Sequence, residues 1–168
     1  MKIGLLSDTH GYLDSKVFQY FKECDEIWHA GDIGSLEVAH QLKKFKPVRA
    51  VFGNIDSSEI QNVFPEHLSF LCEETKVLIT HIAGNPPRYN STVNKLRALH
   101  KPELLICGHS HILKVESDQK NKLLFINPGA AGNHGFHKTK TLVRFEINKK
   151  KITNLQVIEI GERGKLTK

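Results

Sequence analysis

The feature that most constrains this chain is a repeated pairing of a short apolar run with a polar turn. Six polar turns occur, and each directly follows an apolar run: residues 7–10, 31–34, 53–56, 80–81, 108–111 and 127–129. Short apolar runs bounded by turn residues are typical of buried strands. In open α/β sheets, ligand sites form beyond the carboxyl ends of the strands. We therefore expect the six turns to converge on one crevice.

Strand-like and helix-like segments alternate in the first half of the chain, whereas the second half is rich in strands. Strands are predicted at residues 2–6, 26–29, 48–52, 67–71, 76–80, 104–107, 112–116, 123–126, 142–147 and 152–158. Helices are predicted after a cap at Asp14, at 35–45 and at 91–100, the last with Val93, Leu96, Ala98 and Leu99 as its apolar positions. This order indicates an α/β protein with two packed sheets and helices outside.

Length and composition favour one compact, water-exposed domain covering residues 1–168. The chain has 168 residues, 39% of them hydrophobic and 25% charged, as is usual for a globular domain. No apolar run approaches the ~20 residues of a membrane span. The first apolar run is too short for a signal-peptide core, so a cytoplasmic location is predicted. The three cysteines, an odd number without paired spacing, are expected to be reduced and buried.

The polar turns carry residue types that bind divalent metals. Asp8 and His10 occupy alternate positions, and His109 and His111 repeat that spacing, so each pair would point to one side of an extended segment. Carboxylate, imidazole and amide ligands together suit Mn²⁺, Fe²⁺, Zn²⁺, Co²⁺ or Ni²⁺. They suit Ca²⁺ poorly, because Ca²⁺ prefers an all-oxygen shell.

Each turn by itself has a purely structural explanation. Gly31-Asp32-Ile33-Gly34 and Gly53-Asn54-Ile55-Asp56 are ordinary turn sequences. Gly108-His109-Ser110-His111 is more specific, because two histidines after a buried strand have little structural purpose. Five such clusters in this order within one domain favour a metal site over a set of unrelated turns.

The ordered set of motifs resembles the calcineurin-like metallophosphoesterase superfamily. The superfamily pattern is Asp-x-His, Gly-Asp-x-x, Gly-Asn-x-Asp/Glu, a single His, and Gly-His-x-His, and the chain matches it in order. The small size and the closing Asn127-Pro128-Gly129 resemble its small prokaryotic phosphodiesterase branch. The resemblance implies a four-layer α/β/β/α sandwich of two mixed β-sheets flanked by helices.

The resemblance also implies a set of metal ligands and a reaction. The ligands of the first metal would be Asp8, His10, Asp32 and His111, and those of the second would be Asp32, Asn54, His81 and His109. A hydroxide bridging two divalent metals, Mn²⁺ foremost, would attack the phosphorus of a phosphate diester or monoester. Catalytic roles would fall to Asp32, Asn54, His81 and His109, and Asn54 would also contact a phosphate oxygen.

Three positions depart from the family pattern. Ile55 stands where many relatives have a histidine proposed to assist the leaving group, and isoleucine cannot donate a proton. General acid catalysis contributes ~10²–10⁴-fold, so poor leaving groups are expected to react slowly. Ile82 follows His81 where glycine is common, and Ala130 replaces a serine hydroxyl after the Asn-Pro-Gly turn.

Several residues outside the motifs have two interpretations each. Asp56 is interpreted as a turn residue or one that orients a ligand. His29 is interpreted as a packed strand histidine ahead of a residue that supports the site. A solvated loop is favoured for His134 and His137 over substrate contact. Surface positions are predicted for His40, His67 and His100. Arg88 is either a substrate contact or an exposed arginine.

Two other functions remain open beside the phosphoesterase. The retromer complex contains a subunit of this fold that works mainly by binding proteins, so a scaffold is the first alternative. A retired site should have lost ligands, however, and all seven are present. A nuclease is the second, since the net charge is +6 and would attract nucleic acid. The expected partner is a small phosphate ester, and nucleic acid is a less favoured partner. No binding to a membrane is expected, and self-association is left open.

Overall fold

The computed structural model describes residues 1–164; the last four residues of the predicted domain, including Lys165 and Lys168, lie outside the described residues. The helices are α1 Lys16–Tyr20, α2 Leu36–Phe45, α3 Ser58–Gln61 and α4 Ser91–His100. The strands are β1 Lys2–Leu6, β2 Glu26–His29, β3 Val48–Ala50, β4 His67–Cys72, β5 Thr75–Thr80, β6 Gly84–Asn85, β7 Arg88–Tyr89, β8 Leu104–Ile106, β9 Leu113–Asp118, β10 Leu123–Pro128, β11 Thr139–Asn148 and β12 Lys151–Glu162.

Two mixed five-stranded sheets form the centre of the molecule. The first has the order β12-β11-β1-β2-β3, with β1, β2 and β3 parallel and β11 antiparallel to both of its neighbours. The second has the order β4-β5-β8-β10-β9. Its three central strands are parallel and its two edge strands are antiparallel to them. Strands β6 and β7 form a separate short hairpin.

Three apolar clusters separate the layers. One cluster contains Trp28 from the first sheet and Ile106 from the second, so it fills the space between the sheets. A second cluster packs helices α1, α2 and α3 against the outer face of the first sheet. A third packs Val93 of α4 against Phe125 on the outer face of the second sheet. The resulting order of layers is the expected α/β/β/α sandwich.

Strand β1 shows how the sequence specifies this arrangement. Ile3 and Leu5 belong to the cluster between the sheets, whereas Leu6 belongs to the cluster under the helices. Side chains alternate between the two faces of a strand, and both faces of a central strand are covered here, so the segment is almost continuously apolar. Gly4 faces α1, where an added Cβ would lie 2.6 Å from Phe21 Cγ.

Most predicted elements are present, with some boundary errors. The segments β1, β2 and α4 agree with prediction, whereas β3 ends at Ala50, two residues earlier than predicted, and α3 and the β6–β7 hairpin were not predicted. Ser15 occupies the N-cap position of α1 without a side-chain cap bond, and the predicted capping residue Asp14 accepts the N–H of Lys16 through Oδ1 at 3.0 Å. On α4 only Val93 is buried, and Leu99 is 73% exposed, so assigning it to the apolar face was wrong.

The cysteines agree with expectation, since Cys24, Cys72 and Cys107 are all buried and unpaired. Burial raises the pKa of the Cys72 thiol to about 11, which keeps it protonated and unreactive near neutral pH. Within residues 1–164, the helices are too short and too polar to cross a membrane.

Candidate metal centre

The first group of donor atoms joins the turn after β1 to the turn after β8. Asp8, His10 and His111 each place a ligand atom within 4.8 Å of those of the other two. His111 Nε2 lies 3.2 Å from Asp8 Oδ1 and 3.3 Å from His10 Nε2. The two turns are about 100 residues apart in the chain, and the parallel strands bring their ends to one edge of the sandwich.

The second group joins the turns after β2, β5 and β8. Asp32, His81 and His109 also place their ligand atoms within 4.8 Å of one another. His81 Nε2 lies 3.2 Å from Asp32 Oδ1 and 3.1 Å from Asn54 Oδ1. The structure therefore brings together all seven predicted ligands in two adjacent groups.

Asp32 lies between the two groups. Its Oδ1 atom faces His81 at 3.2 Å, and its Oδ2 atom faces His10 Nε2 at 3.7 Å. The backbone N–H of His109, from the second group, donates to both carboxylate oxygens of Asp8 in the first, at 3.2 and 3.1 Å. The two groups thus share one carboxylate side chain and one backbone contact.

Unusual backbone conformations aim these side chains. Positive φ angles occur at five of the candidate ligands: Asp8 (55°), His10 (47°), Asp32 (54°), His109 (68°) and His111 (59°). The sequence analysis had assigned the Asp8–His10 pair to extended backbone, which is wrong. The side chains converge because a left-handed turn redirects them after the strand has ended. Left-handed residues other than glycine cost of order 1–3 kcal/mol each and are concentrated at functional sites.

Hydrogen bonds behind the ligands fix their orientation. His81 Nδ1 donates to the carbonyl of Ala30 at 2.8 Å, which leaves Nε2 directed at Asp32 and Asn54. A carbonyl in this position is the usual partner of a metal-binding histidine. His29 is buried, as the favoured interpretation held. Its Nδ1 accepts the N–H of Gly31 and its Nε2 donates to Thr9 Oγ1 at 2.9 Å, so it supports both the β1 and β2 turns.

Two electrostatic effects favour ligands in their metal-binding protonation states. Burial works against ionisation of Asp32, but the hydrogen bond and charge of His81 outweigh it and lower the pKa of this carboxyl. Burial lowers the pKa of His10, although Asp32 and Asp8 oppose that effect. An ionised carboxylate and a neutral imidazole are the forms that coordinate a cation.

Glycines allow the turns to approach one another closely. A Cβ on Gly53 would lie 2.0 Å from Asp32 Oδ1, and one on Gly31 would lie 2.6 Å from His81 Nδ1. Either methyl group would displace a candidate ligand, so these two glycines are required by the close packing of the site.

Histidines that the sequence analysis assigned elsewhere also surround the centre. His134 and His137 were expected in a solvated loop; His134 is exposed in that loop and His137 is half-buried, and their rings lie 4.9 Å from the ring of His10 and 5.2 Å from that of His111. His67 was expected on the surface, but it is only partly exposed and its Nδ1 lies 2.8 Å from Thr80 Oγ1. Sequence pattern gave no signal for His67, because its position depends on the pairing of β4 with β5.

A cleft of about 250 Å³ opens beside the second group. Its walls include Asn54, His67, His81, Phe52 and Ile82. The cleft therefore combines polar groups near the candidate ligands with apolar surface farther out. Arg88 lies on the exposed side of the β6–β7 hairpin and is not among the residues of this cleft, so its role as a substrate contact stays a prediction.

A family model describing the calcineurin-like phosphoesterase superfamily domain matches residues 1–150 of the chain. The protein belongs to this superfamily. Membership of this superfamily therefore supports the expected metal site, in addition to the grouping of the side chains. Phosphoesterases of this superfamily use divalent metals, and the two groups of carboxylate and imidazole donors fit such ions.

One relative in sequence and two solved structures are similar to the chain. A probable metallophosphoesterase of Methanocaldococcus jannaschii is 33% identical over 138 residues, covering 77% of this chain and 68% of that protein. The structure of an archaeal phosphodiesterase is similar with a TM-score of 0.76 at 23% identity, over 95% of this chain and 100% of that one. The structure of zinc-bound Vps29 from Entamoeba histolytica is similar with a TM-score of 0.74 at 17% identity, over 96% of this chain and 99% of that one. The two structures agree with the observed fold.

Proposed function

We propose that this metallophosphoesterase is a binuclear-metal phosphodiesterase that hydrolyses a small phosphate diester. The observation that carries the proposal is the pair of donor groups that meet at Asp32, whose two oxygens face His81 and His10 at 3.2 and 3.7 Å. One carboxylate between two groups of ligands is the arrangement expected for a bridging ligand. Kinship to the archaeal phosphodiesterase supports a diester over a monoester.

The residues present would hold two divalent ions, with Asp8, His10 and His111 at the first, Asn54, His81 and His109 at the second, and Asp32 shared. Bound there, two such ions supply an activated water and stabilise charge on the phosphoryl oxygens. The donor set suits Mn²⁺, which we propose as the working metal, and equally admits Ni²⁺, Fe²⁺, Zn²⁺ or Co²⁺. We infer the cytoplasm as its location, where thiols such as Cys107 stay reduced.

The protein residues around the ions would orient the ester. Asn54 is exposed at the rim of the second group, where its amide can donate to a phosphoryl oxygen. The cleft beside it, with Phe52 and Ile82 in its wall, would receive one ester arm. Ile55 is 47% exposed and cannot protonate the departing alcohol, so the enzyme would favour leaving groups of low pKa.

The test is hydrolysis of bis-p-nitrophenyl phosphate and p-nitrophenyl phosphate by protein stripped of metal and then supplied with Mn²⁺, Ni²⁺, Zn²⁺ or Mg²⁺. We expect Mn²⁺ to restore diester cleavage and to give a larger kcat/KM for the diester than for the monoester. Asp32→Ala and His109→Ala should each lower kcat/KM by at least ~10²-fold. His40→Ala, exposed on helix α2, serves as the matched histidine control.

The likeness to Vps29 favours a protein-binding scaffold as the second candidate function. Folded protein that turns over neither substrate with any of the four metals would contradict the diesterase and favour the scaffold. Cleavage confined to DNA or RNA, with an affinity that falls steeply with salt, would instead favour a nuclease.

A further inference from the structure

The loop between β10 and β11 packs over the first donor group. Its Gly132 N–H donates to the carbonyl of Asp8 at 3.1 Å, and a Cβ on Gly132 would lie 2.3 Å from the carbonyl oxygen of Thr9. Farther along, the ring of His137 meets the ring of His111 nearly edge to face, with centroids 5.2 Å apart and an interplanar angle of 74°. The loop is therefore fixed at one end to the β1 turn and contacts a candidate ligand at the other.

The hydrogen bond of His137 determines which of its ring nitrogens carries the proton. Its Nε2 lies 3.0 Å from the carbonyl oxygen of Gly132, an acceptor that can pair only with an N–H. In a neutral ring with the proton on Nε2, Nδ1 carries a lone pair and can only accept.

That lone pair is buried and faces His111. Among residues 1–164, His137 Nδ1 is a buried side-chain nitrogen with no hydrogen-bond partner, a state that native proteins rarely leave unexplained. A Cβ placed on Gly135 would lie 2.1 Å from His111 Nδ1 and 3.3 Å from His137 Nδ1. Both Nδ1 atoms therefore lie near Gly135, which has no side chain to separate them, although the structure forms no hydrogen bond between them.

His111 has the complementary requirement. Its Nε2 is directed at Asp8 Oδ1 and His10 Nε2, at 3.2 and 3.3 Å, so Nε2 is the atom that would bind a metal. A neutral imidazole that coordinates through Nε2 must carry its proton on Nδ1, and such an N–H almost always donates to a neighbouring group.

We propose that His137 is a positioning residue for the first metal: when His111 coordinates an ion through Nε2, the unpaired Nδ1 of His137 would accept the Nδ1–H of His111 and fix the tautomer and ring orientation of that ligand. The inference rests on the proposed binuclear site. The arrangement runs from the Gly132 carbonyl through His137 to His111. In the second group a backbone carbonyl supports His81. In the first group the imidazole of His137 would take that role for His111.

Two substitutions separate this role from simple anchoring of the loop. In His137→Asn the amide oxygen takes the place of Nδ1, so the acceptor for His111 is kept and the bond to Gly132 is lost. In His137→Gln the amide nitrogen takes the place of Nε2, so the bond to Gly132 is kept and the acceptor is lost. A loop anchor would tolerate His137→Gln better, whereas a positioning residue would tolerate His137→Asn better.

The measurement is the number of Mn²⁺ ions bound per chain and their Kd values, obtained by equilibrium dialysis with elemental analysis. We expect His137→Gln to weaken one of two Mn²⁺ sites by ~10–100-fold, the usual effect of losing a group that supports a ligand, and to leave the other unchanged. His137→Asn should stay within ~5-fold of the wild type at both sites, since it retains the partner of the ligand. His40→Gln, exposed on α2, is the matched control.

Other results would overturn either the positioning role of His137 or the proposed function. Wild-type affinity in His137→Gln, or a loss in His137→Asn equal to or greater than that in His137→Gln, would overturn the positioning role while leaving the binuclear site intact. Wild-type protein that binds no Mn²⁺, Zn²⁺ or Ni²⁺ would refute the proposed function itself, and the inference with it. Unfolding curves of the metal-free variants establish that each is folded before titration.

Discussion

Single residues at the centre hold conformations that stability alone would not select. Asp8, His10, Asp32, His109 and His111 all have positive φ, in a region that costs a non-glycine residue of order 1–3 kcal/mol. Aspartate and histidine enter it more readily than branched residues do. The surrounding contacts keep them there, such as the bonds from the His109 N–H to Asp8. Five of the ten non-glycine residues with positive φ among the described residues are these candidate ligands, which is consistent with a preorganised site.

His29 makes the stability of the protein depend on pH. Burial lowers its pKa from 6.5 to about 4, so the unfolded chain binds a proton at a higher pH than the folded chain. Stability from this group is present above pH 6.5 and is lost as pH falls toward 4. From pH 7 to 4, urea unfolding should show the stability of wild type falling by about 3 kcal/mol more than that of His29→Gln.

The matched control is His40→Gln, which removes an exposed histidine and should follow the wild-type curve at every pH. Parallel curves for wild type and His29→Gln would show that His29 is not held neutral by burial.

Among the structural elements, the two turns after β2 and β3 are joined by one carboxylate. Asp56 Oδ1 accepts the N–H of Gly34 at 2.7 Å, and Oδ2 accepts those of Ile33 and Gly53 at 3.1 and 2.8 Å. This supports the interpretation of Asp56 as a residue that orients a ligand, because Asp32 lies in one of these turns and Asn54 in the other. Asp56 thus sets the spacing between two strand ends.

Asp56→Ala should therefore loosen both turns. Three N–H groups would lose their acceptor in a largely buried place, and we expect the free energy of unfolding to fall by about 3 kcal/mol. Chemical denaturation of the metal-free protein measures it. Asp25→Ala is the control, since Asp25 accepts one exposed N–H, that of Lys2, and should cost less than about 1 kcal/mol. Equal losses in the two variants would contradict the role given to Asp56.

Across the whole molecule, a buried ion pair connects the two ends of the chain. Lys140 Nζ on β11 lies 2.8 Å from Asp14 Oδ2 before α1, and both side chains are 0% exposed. Lysine in a basic C-terminal region would ordinarily be surface exposed, so composition gave no indication of this pair. It joins β11 to the segment that carries Asp8 and His10, across 126 residues of sequence.

Lys140→Met should be strongly destabilising, because it removes a fully buried ammonium group that pairs with the equally buried Asp14 carboxylate. We expect a loss of about 3–5 kcal/mol in the free energy of unfolding, the usual cost of breaking a buried pair. Lys114→Met is the control: Lys114 pairs with Glu116 at 2.9 Å, with side chains 34% and 41% exposed, and should change stability by less than ~1 kcal/mol. A Lys140→Met variant as stable as Lys114→Met would show that the buried pair contributes little.

Elements that depend on local signals were predicted well. The apolar run of β1 and the helical pattern of residues 91–100 predicted segments whose bounds match the structure. Errors arose where neighbours in space decide the outcome. Leu99 fits a helical stripe but has no layer to pack against and is 73% exposed, and the β6–β7 hairpin pairs only two residues per strand, too few to give a pattern.

The sequence by itself determined the order of strands and polar turns, because the burial pattern of a strand is a property of its residues, and the resemblance of its ordered motifs to the superfamily implied the seven candidate ligands. Only the tertiary structure decided how those ligands converge. The left-handed turns at Asp8 and Asp32, the packing of His137 on His111 and the burial of Lys140 against Asp14 all depend on contacts between segments distant in sequence. Such contacts exist only once these segments have packed together, and no local pattern encodes them.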